Sequence, residues 1–313
     1  YTPDGLPSQV TTNNSAGGTP VVNTYSYNRR RMLTAETLAQ PGWYSWGIGY
    51  GYDASGHLAS QSYPTGLSVG YAPNALGQAT QAGSYATGVQ YFPNGAIKQF
   101  TYGNGIVHTL TQNARQLPLA STDSGGALSQ QYAYDRNGNV SSVTDSLESA
   151  RSKTMSYDSL DRLISASSTS FGGTGTHQFG YDPLDNLRSW TLGGVKDLAN
   201  YVYSAENRLT EVRNSAGNLV HQFSYDVQGN ITSRNTVPHD FDFGNRLRAV
   251  PGIEDYRYDG SGRRVQTTKA SGARTLWMYA QNGQVLFSSK LPAGGGQTTH
   301  ENVYLGGSLV ATI

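Results

Sequence analysis

Residues 132–140 read YAYDRNGNV, and variants of this short unit recur from one end of the chain to the other. YGYDASGHL (50–58), MSYDSLDRL (155–163), FGYDPLDNL (179–187), YVYSAENRL (201–209), FSYDVQGNI (223–231), HDFDFGNRL (239–247) and YRYDGSGRRV (256–265) share one template. It runs aromatic, any, Tyr, Asp, two free positions, Gly, Asn or Arg, then aliphatic. A unit this short cannot bury an apolar face alone, so its copies must stack on one another. That requirement constrains the fold more tightly than any property of the chain as a whole.

The template has the chemistry of a hairpin tip. Aromatics two residues apart point to one face of a strand, and the Asp-to-Gly segment suits a type I turn. The Asp carboxylate caps turn N–H groups, and the Gly takes the left-handed position that closes the turn with a bulge. The turn residues so predicted are Tyr52, Asp53 and Gly56; Tyr134, Asp135 and Gly138; Tyr157 and Asp158; Tyr181 and Asp182; Tyr225, Asp226 and Gly229; Tyr258, Asp259 and Gly262. Where Gly is replaced, Asp161, Asp185, Asn207 and Asn245 stand in its slot, and Asp and Asn best tolerate that backbone region.

Repeat starts are spaced roughly 16 to 26 residues apart except after Tyr91. The gap there holds TQNARQLPLAS (111–121), read as a copy that has lost its Tyr and one turn residue. The tip after Tyr27 lacks both Asp and Gly, and Asn74 falls two residues late after Tyr71, so 1–130 is expected to be less regular than 131–313. Gly, Ser, Thr and Asn interrupt every window long enough for a helical stripe. Even MLTAETLAQ (32–40), the best helical candidate, sits where a return strand belongs. Gly-rich stretches at 15–19, 171–176 and 292–296 read as connections between hairpins. The expected fold is all-β, a single array over 1–313 forming one continuous curved sheet. It is expected to be an open piece of a shell without face-to-face packed sheets, cut inside a repeat at both ends.

With 22 basic and 21 acidic residues the net charge is +1, which gives no long-range field for nucleic acid or an anionic membrane. No apolar run approaches the roughly 18 residues of a membrane span. The absence of cysteine excludes disulfides and thiol chemistry. The histidines are scattered without metal-ligand spacing, and FGGTGTH (171–177) lacks the ending of a phosphate loop. The recurring Asp residues could suggest paired carboxylates, but a residue at the same turn position in each copy does the same structural job in each. No catalytic, cofactor or metal site is predicted.

The tyrosines could form a sugar platform, although packing beside one another is the favoured reading. Trp43, Trp46, Trp190 and Trp277 lie outside the template and are the better individual sugar contacts, with core burial favoured for each. Asn-x-Ser/Thr sequons at Asn13, Asn139 and Asn230 are what chance provides in so Asn-, Ser- and Thr-rich a chain.

These repeats closely resemble the YD repeats of the RHS family, the large bacterial proteins that share the motif with teneurins and with the C component of insecticidal toxin complexes. YRYDGSGRRV, WMYAQNGQVL (277–286) and YLGGSLVATI (304–313) are similar to the run that leads into the family's RHS-associated core. The resemblance implies a spiralling β-shell that encloses a toxic C-terminal polypeptide, released by self-cleavage at an aspartate motif that no position here matches. It implies an exported, secreted or cell-surface bacterial protein, non-catalytic in this segment, whose partners are the core and toxin of its own polypeptide. The alternative is a cell-surface adhesin built from the same repeats that binds carbohydrate, such as surface glycans, or protein.

Overall fold

The computed structural model describes residues 1–14 and 18–313, so the connection expected at 15–19 lies partly outside the described residues. Strands account for all regular structure there except three short 3-10 turns, at Ser124–Gly126, Ser149–Arg151 and Thr169–Phe171. The candidate helix at 32–40 is the strand Leu33–Gln40. All paired neighbours are antiparallel and consecutive in sequence, as a chain of hairpins requires.

The ladder is not one uninterrupted sheet. It divides into sheets of six, eleven, five and eight strands, each in sequence order. The first break falls at 71–85, where only the isolated bridges Pro73↔Ala79 and Ala82↔Ala86 form. A later break follows Val237–Pro238, where the proline has no N–H to continue the ladder.

The chain forms two compact units. The first comprises Tyr1–Val89, Thr101–Gly105 and His239–Ile313, and the second Gln90–Phe100 and Ile106–Pro238. The first contains the six-stranded and eight-stranded sheets, and they pack against each other. Leu38, Ile48 and Val69 of one and Val265, Leu276, Leu286, Phe287 and Val303 of the other are nearly inaccessible. Trp46 meets Phe287 edge-on with ring centroids 4.7 Å apart, and the Tyr63 hydroxyl donates to the Asn302 carbonyl at 3.0 Å. This corrects the expectation of an open piece without packed sheets. Hairpins distant in sequence supply each other's missing layer, which relieves both of a bare apolar face.

In the second unit only Phe100, Leu192, Tyr201 and Val212 are fully buried apolar residues among the described ones, and most strand positions are half-buried. There the hairpins are held more by contacts along the sheet than by a second layer.

The first 130 residues carry the same tips as the rest. Asn28 accepts from the N–H groups of Arg30 (2.9 Å) and Met32 (3.1 Å), replacing Asp, while Arg31 (φ +63°) replaces Gly. Asn74 plays the same part for Leu76 and Gln78 at 2.9 and 3.0 Å. The copy at 111–121 has lost no turn residue. Asn113 accepts from Arg115 and Leu117 at 2.9 and 3.1 Å, and Gln116 occupies the Gly slot with φ +61°.

Candidate functional site

The recurring feature of the molecule is the edge where the tips line up. In the tip after Tyr134, one oxygen of Asp135 accepts the N–H groups of Asn137, Gly138 and Asn139, each at 2.9 Å. Its second oxygen takes the Asn139 amide at 3.0 Å. This amide bond, with the backbone donors, holds the Asp135 carboxyl below its ordinary pKa despite some opposing desolvation. Asp158 is lowered chiefly by Arg162, whose Nε donates to it at 2.7 Å, and Asp226 by Asn230 at 2.8 Å. At Asp182 desolvation pushes upward but is outweighed by hydrogen bonds, including the one from Asn186. Asp53 is lowered first by the His57 N–H, and Asp259 accepts from the N–H groups of Ser261 and Arg263, both at 2.9 Å.

Gly56, Gly138, Gly229 and Gly262 have φ of +93°, +98°, +94° and +77°. Asp161, Asp185, Asn207 and Asn245 take the same left-handed conformation, with φ of +61°, +65°, +59° and +59°. The pairing register shifts at each of these tips, as between Ala133 and Tyr134, which is the bulge the template implies.

The tyrosines act as staples between repeats. The hydroxyl of Tyr52 donates to the Leu33 carbonyl (2.8 Å), that of Tyr134 to Pro118 (2.7 Å) and that of Tyr157 to Val140 (2.9 Å). Tyr181 reaches Leu163 (3.0 Å), Tyr225 reaches Leu209 (2.6 Å) and Tyr258 reaches Leu247 (2.6 Å). In each case the acceptor begins the return strand of the preceding hairpin, so the Tyr slot of one copy locks the aliphatic slot of the one before.

A second ladder runs along the tips from the residue after the Gly slot, a position whose role the template alone did not reveal. Arg162 Nη1 donates to the Asp182 carbonyl and to Asp185 of the next tip, both at 2.8 Å, while its guanidinium lies 4.9 Å from the Tyr181 ring centre. Arg208 repeats this on the Asp226 carbonyl (2.8 Å) and the Tyr225 ring (5.7 Å). The amides of Asn139 and Asn186 reach Asp161 and Asn207, each at 2.7 Å. Tyrosine packing is therefore mediated by interleaved arginines and by hydroxyl-to-carbonyl bonds. The recurrence of Asn or Arg after Gly was the available signal.

Inside the first unit Glu36 is 3% exposed and receives the Tyr50 hydroxyl. Burial raises its carboxyl pKa, only partly offset by Tyr50 and Arg263. Among the described residues no group of three or more His, Asp or Glu could hold a metal ion, and no helix is long and apolar enough to cross a membrane. None of the tryptophans is fully buried, contrary to the favoured reading; Trp43 is 39% exposed, and Trp46, Trp190 and Trp277 are half-buried.

The fold defined by these tips and staples is a tandem array of stapled antiparallel β-hairpins. It is shared with components of the Tc toxins. The crystal structure of TcdB2–TccC3–Cdc42 matches over 91% of this chain and 16% of its own, with a TM-score of 0.54 and 16% identity. The Photorhabdus luminescens Tc holotoxin pore matches over the same shares, with a TM-score of 0.52 and 16% identity. TcdB2–TccC3 without its hypervariable C-terminal region matches over 91% of this chain and 16% of that one, with a TM-score of 0.53 and 15% identity. At such identities the likeness is one of fold, and this chain spans 16% of the length of these structures. No family model and no curated protein matches the sequence.

Proposed function

We propose that this chain is a non-catalytic shell segment of an exported RHS-type toxin protein, and that the shell encloses a toxic C-terminal segment of the same polypeptide. The observation that carries this reading is the coupling of successive hairpins by the Tyr181, Tyr203 and Tyr225 hydroxyls, which bond the Leu163, Leu187 and Leu209 carbonyls at 3.0, 3.0 and 2.6 Å. Such staples build a wall that extends by addition and needs no reactive group. The fold likeness to TcdB2–TccC3 supports the same role. Protein and toxin partners, secretion and surface exposure belong to this proposal.

The test uses the whole reading frame that contains this chain, digested with a broad-specificity protease. A segment carboxy-terminal to the array should stay protected. It should become sensitive when Tyr157, Tyr181 and Tyr225 are changed together to Phe, which deletes the staples and leaves the rings. The absence of any such segment, or digestion at equal rates with and without the staples, would overturn the shell reading in favour of a surface adhesin.

A further inference from the structure

One face of the eight-stranded sheet carries a row of charges that no tip, staple or packed core explains. Asp240 pairs with Ala249, Ala249 with Asp255, Asp255 with Thr268 and Thr268 with Arg274, so these residues stand opposite one another on five successive strands. Directly paired residues share a face, which sets two acids and an arginine in line on the same side. Arg257 and Gln266, paired with each other two residues along the same strands as Asp255 and Thr268, share it too. The row lines a cavity of about 390 Å³ that lies within the first compact unit.

The acids and arginines share this cavity without neutralising one another. Among the described residues Asp240 and Asp255 form no hydrogen bond or ion pair, and Arg274 makes only a ring contact, 4.8 Å from the Trp43 centre. Arg257 gives its Nη1 to the Thr19 carbonyl at 2.6 Å, and Arg248, which also lines the cavity, gives its Nη1 to Asn14 at 2.7 Å. Strand spacing keeps the row apart: Asp240 and Asp255, like Asp255 and Arg274, spring from backbones about 10 Å apart. Gln266 adds an independent observation. It is 5% exposed, its amide donates to the Thr268 hydroxyl at 2.8 Å, and its carbonyl oxygen is buried without a donor among the described residues. An unpaired buried acceptor is costly, so a donor brought into the cavity gains by drawing that oxygen toward it. A simple anion would meet the arginines against the repulsion of two acids, and a diamine would leave Arg274 unused. A ligand carrying cation, cation and anion in that order matches the whole row.

We propose that this cavity binds a free basic α-amino acid, lysine or arginine, with its side-chain cation at Asp240, its α-ammonium at Asp255 and its carboxylate at Arg274. The methylene stem then crosses Ala249, whose small side chain leaves it room, and the ammonium supplies the donor that Gln266 lacks. Guanidinium and carboxylate match as a bidentate pair, and Arg274 is oriented for it by the Trp43 ring. The volume lies at the small end of ligand pockets, which fits one amino acid better than a folded segment. The site is independent of whether the array encloses a toxin.

The test is isothermal titration calorimetry of the full chain with L-lysine, L-arginine, L-glutamate, and the decarboxylated counterparts cadaverine and agmatine. L-Lysine or L-arginine should bind saturably, and roughly tenfold or more tightly than either L-glutamate or its own amine, which has no partner for Arg274. Arg274→Ala should abolish the margin over the amine, and Arg274→Lys should keep part of it. Asp255→Asn should weaken amino acid and amine alike by roughly tenfold or more. Asp255 and Arg274 are exposed, so these variants should fold, with far-ultraviolet circular dichroism matching the parent. Asp197→Asn, in the second unit, should change nothing. No saturable binding of either basic amino acid, equal binding of L-glutamate or of the amine, or binding indifferent to both Arg274→Ala and Asp255→Asn would overturn the proposal. Displacement of the bound amino acid by inorganic phosphate at equal concentration would also overturn it, because the cavity would then be selecting an anion.

Discussion

Asp259 and Asp135 occupy the same slot of the same turn, yet their replacement by Ala should have very different consequences. Asp259 is 2% exposed. Its tip is covered by the amino-terminal strands: the Gly260 N–H donates to Asn23 Oδ1 at 3.3 Å, and Asn14 bonds both the N–H and the carbonyl of Tyr258 at 2.7 and 3.0 Å. Removing this carboxylate strands the Ser261 and Arg263 N–H groups and Arg263 Nε, which it accepts at 2.9, 2.9 and 3.0 Å. Breaking a buried ion pair by deleting one partner costs about 3–5 kcal/mol. The Arg263 side chain keeps 21% of its surface in solvent, so water recovers part of that and the lower end, about 3 kcal/mol, is expected. At about 2–4 °C per kcal/mol this lowers the melting temperature of the first unit by roughly 6–12 °C. Scanning calorimetry of the parent, Asp259→Ala and Asp135→Ala should show a large shift for the first variant and a much smaller one for the second. Equal shifts would refute the reasoning, since burial and not the turn itself is held to set the difference.

Three further outcomes follow from the same geometry. Gly138→Val forces a β-branched residue to φ +98° and brings its Cβ to 3.0 Å from Arg115 Nη2, so a loss of about 1–2 kcal/mol is expected; a denaturation midpoint within error of the parent would contradict it. Glu36→Gln should hold or raise stability near pH 7. Burial lifts the folded pKa of Glu36 above its ordinary value of 4.5, so the folded state binds the extra proton and stability falls as pH rises through that window. Gln keeps an acceptor for Tyr50 and removes that slope. Melting temperatures measured from pH 4 to 8 check this, and a lower value for the variant at pH 7 would refute it. Asp135, Asp158 and Asp226 have the opposite sign: their folded pKa values are lowered, so their contribution is complete above about pH 4 and is lost as pH falls through the lowered values.

The tips were legible in the residues because every contact that makes them is local. The Asp135 carboxylate, its acceptor geometry and the left-handed Gly138 lie within four residues of one another, so turn chemistry and hairpin register follow from the template alone. The same local logic extends to copies with poor residue matches, since Asn28 and Asn113 make the Asp bonds and Arg31 and Gln116 accept the strained backbone. The spacing of Tyr and of the Asn or Arg after Gly was visible too, although the carbonyls they reach belong to the neighbouring hairpin and appear only once the hairpins are stacked.

Burial was not legible, because it depends on partners remote in the chain. Identical slots end at different depths according to what covers them: Asp259 lies beneath residues more than 230 positions away, whereas the Asp135 tip is held by Arg115 and Asp161 of adjacent hairpins. Gly260 fills a free slot of the template, yet a Cβ there would stand 2.3 Å from Val10 Cγ1, a restriction no repeat pattern carries. The sequence by itself determined the turns, the strand order and the absence of α-helix among the described residues, all set by backbone preferences and side chains within a few residues. Only the tertiary structure decided where the ladder breaks, that the first and last sheets pack on each other, and that Trp43, Tyr44 and Trp46 come to line a cavity with Gln297, because each depends on surfaces brought together after the hairpins have formed.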